Sequence, residues 1–246
     1  YDNAEKAGAN DAVLFNNRGK AKMNTNDLAG AKIDFDKAIE RNASYSKAFL
    51  NRGTVKYISK DYSGAIEDLE KAKSAEGETP EMLTMLGVAN YSLGKKEAAR
   101  VYLDKALSAG VKDSKVLLYG GYLRYEAKDY KGALEALTAA ERAGEKEDGL
   151  YLIRGKAYYQ QKEYTAAIPD LEKGVQKGTA DLASYEAISL SYLAVQKEKQ
   201  ALVTLEKAAT LDSKSKEVYY QLGNIRFKES NFAGAIEAYD KAVALG

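Results

Sequence analysis

The chain of 246 residues has no cysteine, no histidine and no tryptophan, and only two prolines. Without cysteine there is neither a disulfide nor a thiolate metal site, a condition that fits a reducing or an oxidising compartment equally, so localisation stays open. Without histidine, the commonest general base and the usual zinc ligand are missing as well. Catalysis would have to rest on carboxylates, lysine, tyrosine or serine, which a solvated helix face already accounts for; no enzymatic site, cofactor or metal is expected. Excess charge is missing too, since 37 Lys and Arg stand against 36 Asp and Glu. Such a balance gives no general field to draw in a nucleic-acid backbone or an anionic bilayer. The apolar stretch from Ala187 to Val195 is short and contains Ser189 and Ser191, far from the roughly 18 uncharged residues of a membrane helix. Neither nucleic acid nor membrane insertion is expected.

What is present is a period. Gly19, Gly53, Gly87, Gly121, Gly155, Ser189 and Gly223 lie 34 residues apart, and two further small columns keep the register: Ala31 through Ala235, and Ala38 through Ala242 with Gly174 as the one exception. A small side chain at a fixed site lets two helices approach closely, as stacked helical hairpins require. The residues between supply the helices. In the third copy Leu83, Leu86, Ala89 and Leu93 follow three-four spacing behind Pro80, and Gly94 closes the helix; Ala99, Leu103, Ala106 and Leu107 form a second one, ended by Gly110. The pair Gly120-Gly121 falls inside a predicted helix, so it reads as close packing rather than a phosphate loop. Pro169, inside a predicted second helix, is expected to bend or break it.

These columns resemble the tetratricopeptide repeat family, most clearly from Gly53 to Ala72, where Gly53, Tyr57, Tyr62, Ala65, Leu69 and Ala72 fall at the family's packing positions. The resemblance implies an all-α fold, an α-solenoid wound as a right-handed superhelix of antiparallel hairpins. It divides the chain into repeats 12–45, 46–79, 80–113, 114–147, 148–181, 182–215 and 216–246 of a single domain over 1–246. Tyr1 and Ala4 sit 34 residues before Phe35 and Ala38, so residues 1–11 read as the end of a preceding copy and the chain as a segment of a longer protein. Two departures stand out. The proline that often follows the second helix is missing, and the aromatic seen at Tyr62, Tyr130, Tyr164 and Phe232 is replaced by Lys96 and Glu198, so copies three and six are expected to be looser.

Arg18, Arg52 and Arg154 each have an aspartate sixteen residues on, Asp34, Asp68 and Asp170, while the other four copies have neither partner. Cation and anion arriving together indicate an ion pair across one hairpin, since a partly buried arginine left alone is costly. For function, the resemblance implies that first helices line a concave groove. There, Tyr57, Tyr91, Tyr125, Tyr159 and Phe227 form an aromatic column, completed by Met23 and Leu193, with Tyr122 and Lys156 three residues before their neighbours. The expected partner is a protein or peptide segment held in that groove. A clamp for a terminal carboxylate is disfavoured: Asn16, Asn17, Lys20, Lys47 and Asn51 are scattered polar groups, and the third copy offers Glu81, Thr84 and Met85 where cations would be wanted. The alternatives are a structural spacer in a larger secretion, envelope or signalling assembly, and third an enzyme or enzyme-regulating domain. The apolar face of Ile236, Tyr239, Ala242, Val243 and Leu245 suggests weak end-to-end self-association through residues 232–246.

Overall fold

The computed structural model describes residues 11–176, 180–211 and 214–246; Tyr1 and Ala4 lie outside them. Every element among the described residues is helical. In chain order they are α1 Ala12–Asn24, α2 Leu28–Arg41, α3 Ser46–Ile58, α4 Tyr62–Glu76, α5 Pro80–Ser92, α6 Lys96–Ser108, α7 Ser114–Glu126, α8 Tyr130–Arg142, α9 Asp148–Gln160, α10 Tyr164–Val175, α11 Leu182–Ala194, α12 Glu198–Leu211, α13 Lys216–Lys228 and α14 Phe232–Ala244. Odd-numbered helices are the first of each hairpin, and both helices of a hairpin begin 34 residues after their counterparts in the copy before.

One turn chemistry joins every hairpin. Asn26, Lys60, Gly94, Lys128, Lys162, Gln196 and Ser230 occupy one column, all with φ between 61° and 71°. Each donates its amide to the carbonyl three residues back, as Lys60 does to Tyr57 at 3.0 Å and Lys162 to Tyr159 at 2.9 Å. The next residue reaches back five, as Asp61 does to Lys56 at 2.8 Å, so the carbonyls at the end of the first helix are satisfied before the chain reverses. The second helix then opens on a side-chain cap in four copies, where Asp27, Asp61, Asp129 and Asn231 accept from the amides of Gly30, Gly64, Gly132 and Gly234.

The small column sets the closeness of each hairpin. A Cβ at Gly87, Gly121 or Gly155 would come within 2.7 Å of Leu103, Leu137 or Leu171, and one at Gly223 within 2.4 Å of Tyr239, in each case the residue sixteen positions on. Gly174 departs from an alanine column for the same reason, because a Cβ there would meet Leu152 at 2.2 Å. Three of the hairpins are also tied by charge. Arg18 grips Asp34 with two bonds of 2.9 and 2.6 Å, Arg52 grips Asp68 with two of 2.7 Å, and Arg154 grips Asp170 at 2.6 and 2.9 Å. Lys22 and Lys56 add second cations to Asp34 and Asp68, both at 2.8 Å. Two of the arginines extend the tie to the preceding copy, Arg52 to Asp36 at 2.7 Å and Arg154 to Glu141 at 2.6 Å. Burial works to raise the pKa of Asp34 and Asp68, but the hydrogen bonds from the paired cations outweigh it and hold both carboxyls below the ordinary range.

The chain forms two compact units, residues 1–120 and 121–246. In the first, Phe15, Phe35, Val55, Leu69, Met82 and Leu86 fill the spaces between neighbouring helices. In the second, one cluster runs from Ala167 and Leu171 through Ile188 and Leu205 to Leu222 and Ala242. One expectation is corrected here: α10 runs through Pro169 without a break. Pro169 stands at an exposed position, as does Thr165 one turn before it, while buried Ile168 and Leu171 anchor the helix on either side.

Candidate functional site

The hairpin turn fixes the aromatic column, because its left-handed residue bonds to the carbonyl of the column residue itself: Tyr57, Tyr91, Tyr125, Tyr159 and Phe227 each accept from the residue three positions on. From there four of the five rings lean on their own hairpin. Tyr57 packs edge-on against Tyr62 at 5.9 Å and Phe227 against Phe232 at 5.5 Å, while Tyr125 lies tilted against Tyr130 at 5.6 Å and Tyr159 against Tyr164 at 6.0 Å. Copy three lacks that second aromatic, Lys96 standing in its place, and Tyr91 instead stacks on Tyr119 of α7 at 4.1 Å with the planes 13° apart. The tyrosines of the column are half-buried, and Phe227 is 57% exposed. Each of these side chains therefore keeps part of its surface accessible.

Burial, then the charges of Asp113 and the neighbouring tyrosines, push the Tyr57 hydroxyl up to about 12. Burial and nearby Asp181 raise Tyr125, and burial with Tyr164, Glu186 and Glu217 raises Tyr159, so all three remain neutral donors at any physiological pH.

The flanking residues are placed differently from the column. Tyr122 sends its hydroxyl toward Glu147 at 3.3 Å, over Gly149, where a Cβ would meet it at 2.5 Å. Lys156 is held by Asp181 at 2.8 and 3.0 Å, and Asp181 at the same time caps α11 by accepting from the Ser184 amide at 3.0 Å. Both of these side chains are engaged by a carboxylate from the end of a repeat. Asp113, Glu147 and Asp181 share that last column of copies three, four and five, a 34-residue acidic series that sequence reasoning passed over. Near the start of the chain, Asn16 is buried and its side-chain oxygen accepts from the Asn51 amide at 2.8 Å. Among the described residues no cluster of three or more acidic side chains is placed to hold a metal ion, and no helix is long and apolar enough to cross a membrane.

Helical hairpins repeated at a constant 34-residue spacing define an α-solenoid repeat protein. Family models for the tetratricopeptide repeat match residues 12–45, 80–109, 120–182 and 216–245, and the chain belongs to that family, whose fold serves as a scaffold for protein–protein interaction. Among solved structures it is similar to YrrB, a TPR protein with an unusual peptide-binding site, at 22% identity and a TM-score of 0.59 over 76% of this chain and 96% of that one. It is also similar to MamA from Desulfovibrio magneticus RS-1, at 21% identity and a TM-score of 0.55 over 70% and 97%. A tetratricopeptide repeat protein from Parabacteroides merdae ATCC 43184 aligns over 96% and 93%, at 17% identity and a TM-score of 0.52. At these identities the likeness is one of fold. No curated protein matches the chain in sequence.

Proposed function

We propose that the chain is a non-enzymatic interaction scaffold whose first helices hold a segment of a partner protein, with Tyr57 and Tyr91 as contact residues of the first unit, Tyr125, Tyr159 and Phe227 as those of the second, and Tyr122 and Lys156 beside the latter. The observation that carries this reading is a contrast within each hairpin. Residues of the small column and their partners sixteen positions on are packed closely, whereas the aromatic column four residues further along the first helix stays partly exposed. Tyrosine suits such a face, offering apolar area at low entropic cost and a neutral hydroxyl able to bond a peptide backbone. The peptide-binding site named for YrrB supports the reading by analogy of fold.

Replacing Tyr91, Tyr125 and Tyr159 together by alanine tests it. Dodecapeptides selected from a displayed library on the native protein are expected to lose binding to the triple variant, while its helical circular dichroism falls only modestly. Undiminished binding would instead favour the spacer, a reading supported by the exposed apolar side chains of α14.

A further inference from the structure

Copies four and five carry the same pair of rings at the same place in the second unit. Tyr125 stands in the last turn of α7 and Tyr130 opens α8, with centroids 5.6 Å apart and planes at 57°. Tyr159 and Tyr164 repeat the arrangement in α9 and α10, at 6.0 Å and 56°. Each pair straddles its hairpin turn, where the left-handed residue, Lys128 or Lys162, donates its amide to the carbonyl of the first tyrosine at 2.9 Å. All four rings are partly exposed, and among the described residues no hydrogen bond reaches their hydroxyls. Since no buried side-chain oxygen among the described residues lacks a partner, these hydroxyls open to solvent. Each turn thus presents apolar ring surface edged by unused donors.

The helices that carry the pairs lie against each other. Tyr122, one turn before Tyr125, sets its hydroxyl 2.5 Å from where a Cβ on Gly149 of α9 would stand, a close approach that glycine permits. Packed helices lie about 8–10 Å apart, and that distance separates one ring pair from the next. Lys156 beside them is already held by Asp181 at 2.8 Å. Of the regular conformations open to a peptide, polyproline II fits both the spacing and the donors. It turns once in three residues and about 9.3 Å, so every third side chain returns to one face, and its carbonyls have no internal hydrogen bond. An extended strand returns to the same face after about 6.7 Å, and an α-helix uses its carbonyls internally. We infer that copies four and five hold a proline-rich segment in the polyproline II conformation, one proline on the tyrosine pair of each copy at a spacing of three residues, with tyrosine hydroxyls donating to the segment's carbonyls. Such a segment is preformed and loses little entropy on binding. Copy six breaks the row with Leu193 and Glu198 at the two ring positions, and copy seven restores the rings without hydroxyls, as Phe227 and Phe232 5.5 Å apart. Within the second unit the donors therefore belong to copies four and five. This names the chemistry of the partner and rests on the scaffold reading above.

Fluorescein-labelled decaproline, titrated with the native protein and followed by anisotropy, tests it. Saturable binding is expected, and none to a labelled decamer of alternating glycine and serine. The double variant Tyr125→Phe, Tyr159→Phe keeps both rings, and with them the fold as read by circular dichroism, but loses two donors. It should bind decaproline about tenfold more weakly, as two hydrogen bonds would give. No binding of decaproline, or equal affinity in the native protein and the double variant, would overturn the inference. If decaproline fails while library-selected dodecapeptides bind the native protein and not its triple alanine variant, the scaffold reading stands and this inference falls. A native protein that binds neither would overturn both.

Discussion

Asp68 is buried to 1% exposure and accepts from Arg52 twice and Lys56 once, so its charge is kept inside the hairpin only by its partners. The same site is solved differently in copy three, where Leu86 and Tyr102 replace arginine and aspartate and Leu86 is fully buried. Such a pair specifies more than it stabilises, because removing one partner strands the other while replacing both by apolar groups is often close to neutral. Asp68→Ala is therefore expected to cost about 3–5 kcal/mol in urea denaturation, and the double change Arg52→Leu, Asp68→Tyr far less; equal losses would show that no such coupling exists. The pH dependence follows from direction. With folded pKa values below the unfolded aspartate value of about 3.9, Asp34 and Asp68 contribute stability that is complete above that value and disappears as pH falls through their folded values. Stability should thus decline on acidification below about pH 4, and Asp68→Asn should flatten that limb. This tie was legible in the sequence because a fixed separation of sixteen residues makes cation and anion appear or vanish together.

At the level of the helical hairpin, the turns carry a cost that the chain repeats. Six of the seven left-handed turn positions hold a residue other than glycine, Lys162 among them at φ 62°. An L-residue in that region loses ~1–2 kcal/mol that glycine does not, against the ~0.5–1 kcal/mol of chain entropy that glycine adds to the unfolded state. Lys162→Gly is accordingly expected to stabilise the protein by about 0.5–1 kcal/mol, seen as a raised Tm with unchanged circular dichroism. An unchanged or lowered Tm would mean that the lysine side chain contributes something the backbone geometry does not reveal. The glycine at Gly94 made one of these turns visible in sequence, but lysine, glutamine and serine at the same column give no local sign of φ above zero. Small columns were equally readable, since each glycine faces a large residue sixteen positions on. The site was only half readable. Tyr57, Tyr125 and Tyr159 show in their spacing, yet the partners of Tyr122 and Lys156 come from repeat ends, Glu147 and Asp181, which periodicity within a helix does not connect to them. Pro169 misled because the helix is held by packing on both sides of it, through Ile168 and Leu171, which the proline alone does not reveal.

At the scale of the whole chain, α14 presents an apolar face that no other described residue covers. Ile66, Ile168 and Leu202 share a column with Ile236, and each packs into a core cluster that includes residues of the following first helix, such as Met82 and Leu86, Ala187 and Ile188, or Val218 and Leu222. Ile39 and Val175 do the same in the column of Val243. In α14 those two columns are bare, with Ile236 at 61% exposure and Val243 at 79%. Tyr239 is engaged within its own hairpin, its hydroxyl donating to Asn224 at 2.9 Å, and Ala242 is already buried. Covering the two aliphatic side chains is worth about 1.5–3 kcal/mol each, a gain largely offset by the entropy of association. For residues 1–246 taken by themselves, weak self-association of two copies through α14 is the expected result. Tail-to-tail contact uses the same surface on both copies and closes as a dimer, whereas stacking on the opposite end of the next copy would continue as a row. Sedimentation velocity over a concentration series distinguishes them, a plateau at the dimer mass marking the first and steady growth the second. Ile236→Lys with Val243→Lys is expected to return the protein to a monomer throughout, without loss of helix, because both side chains already face solvent in the single copy. A native protein that stays monomeric at millimolar concentration would show that burying these two side chains is too small a gain to bring two copies together.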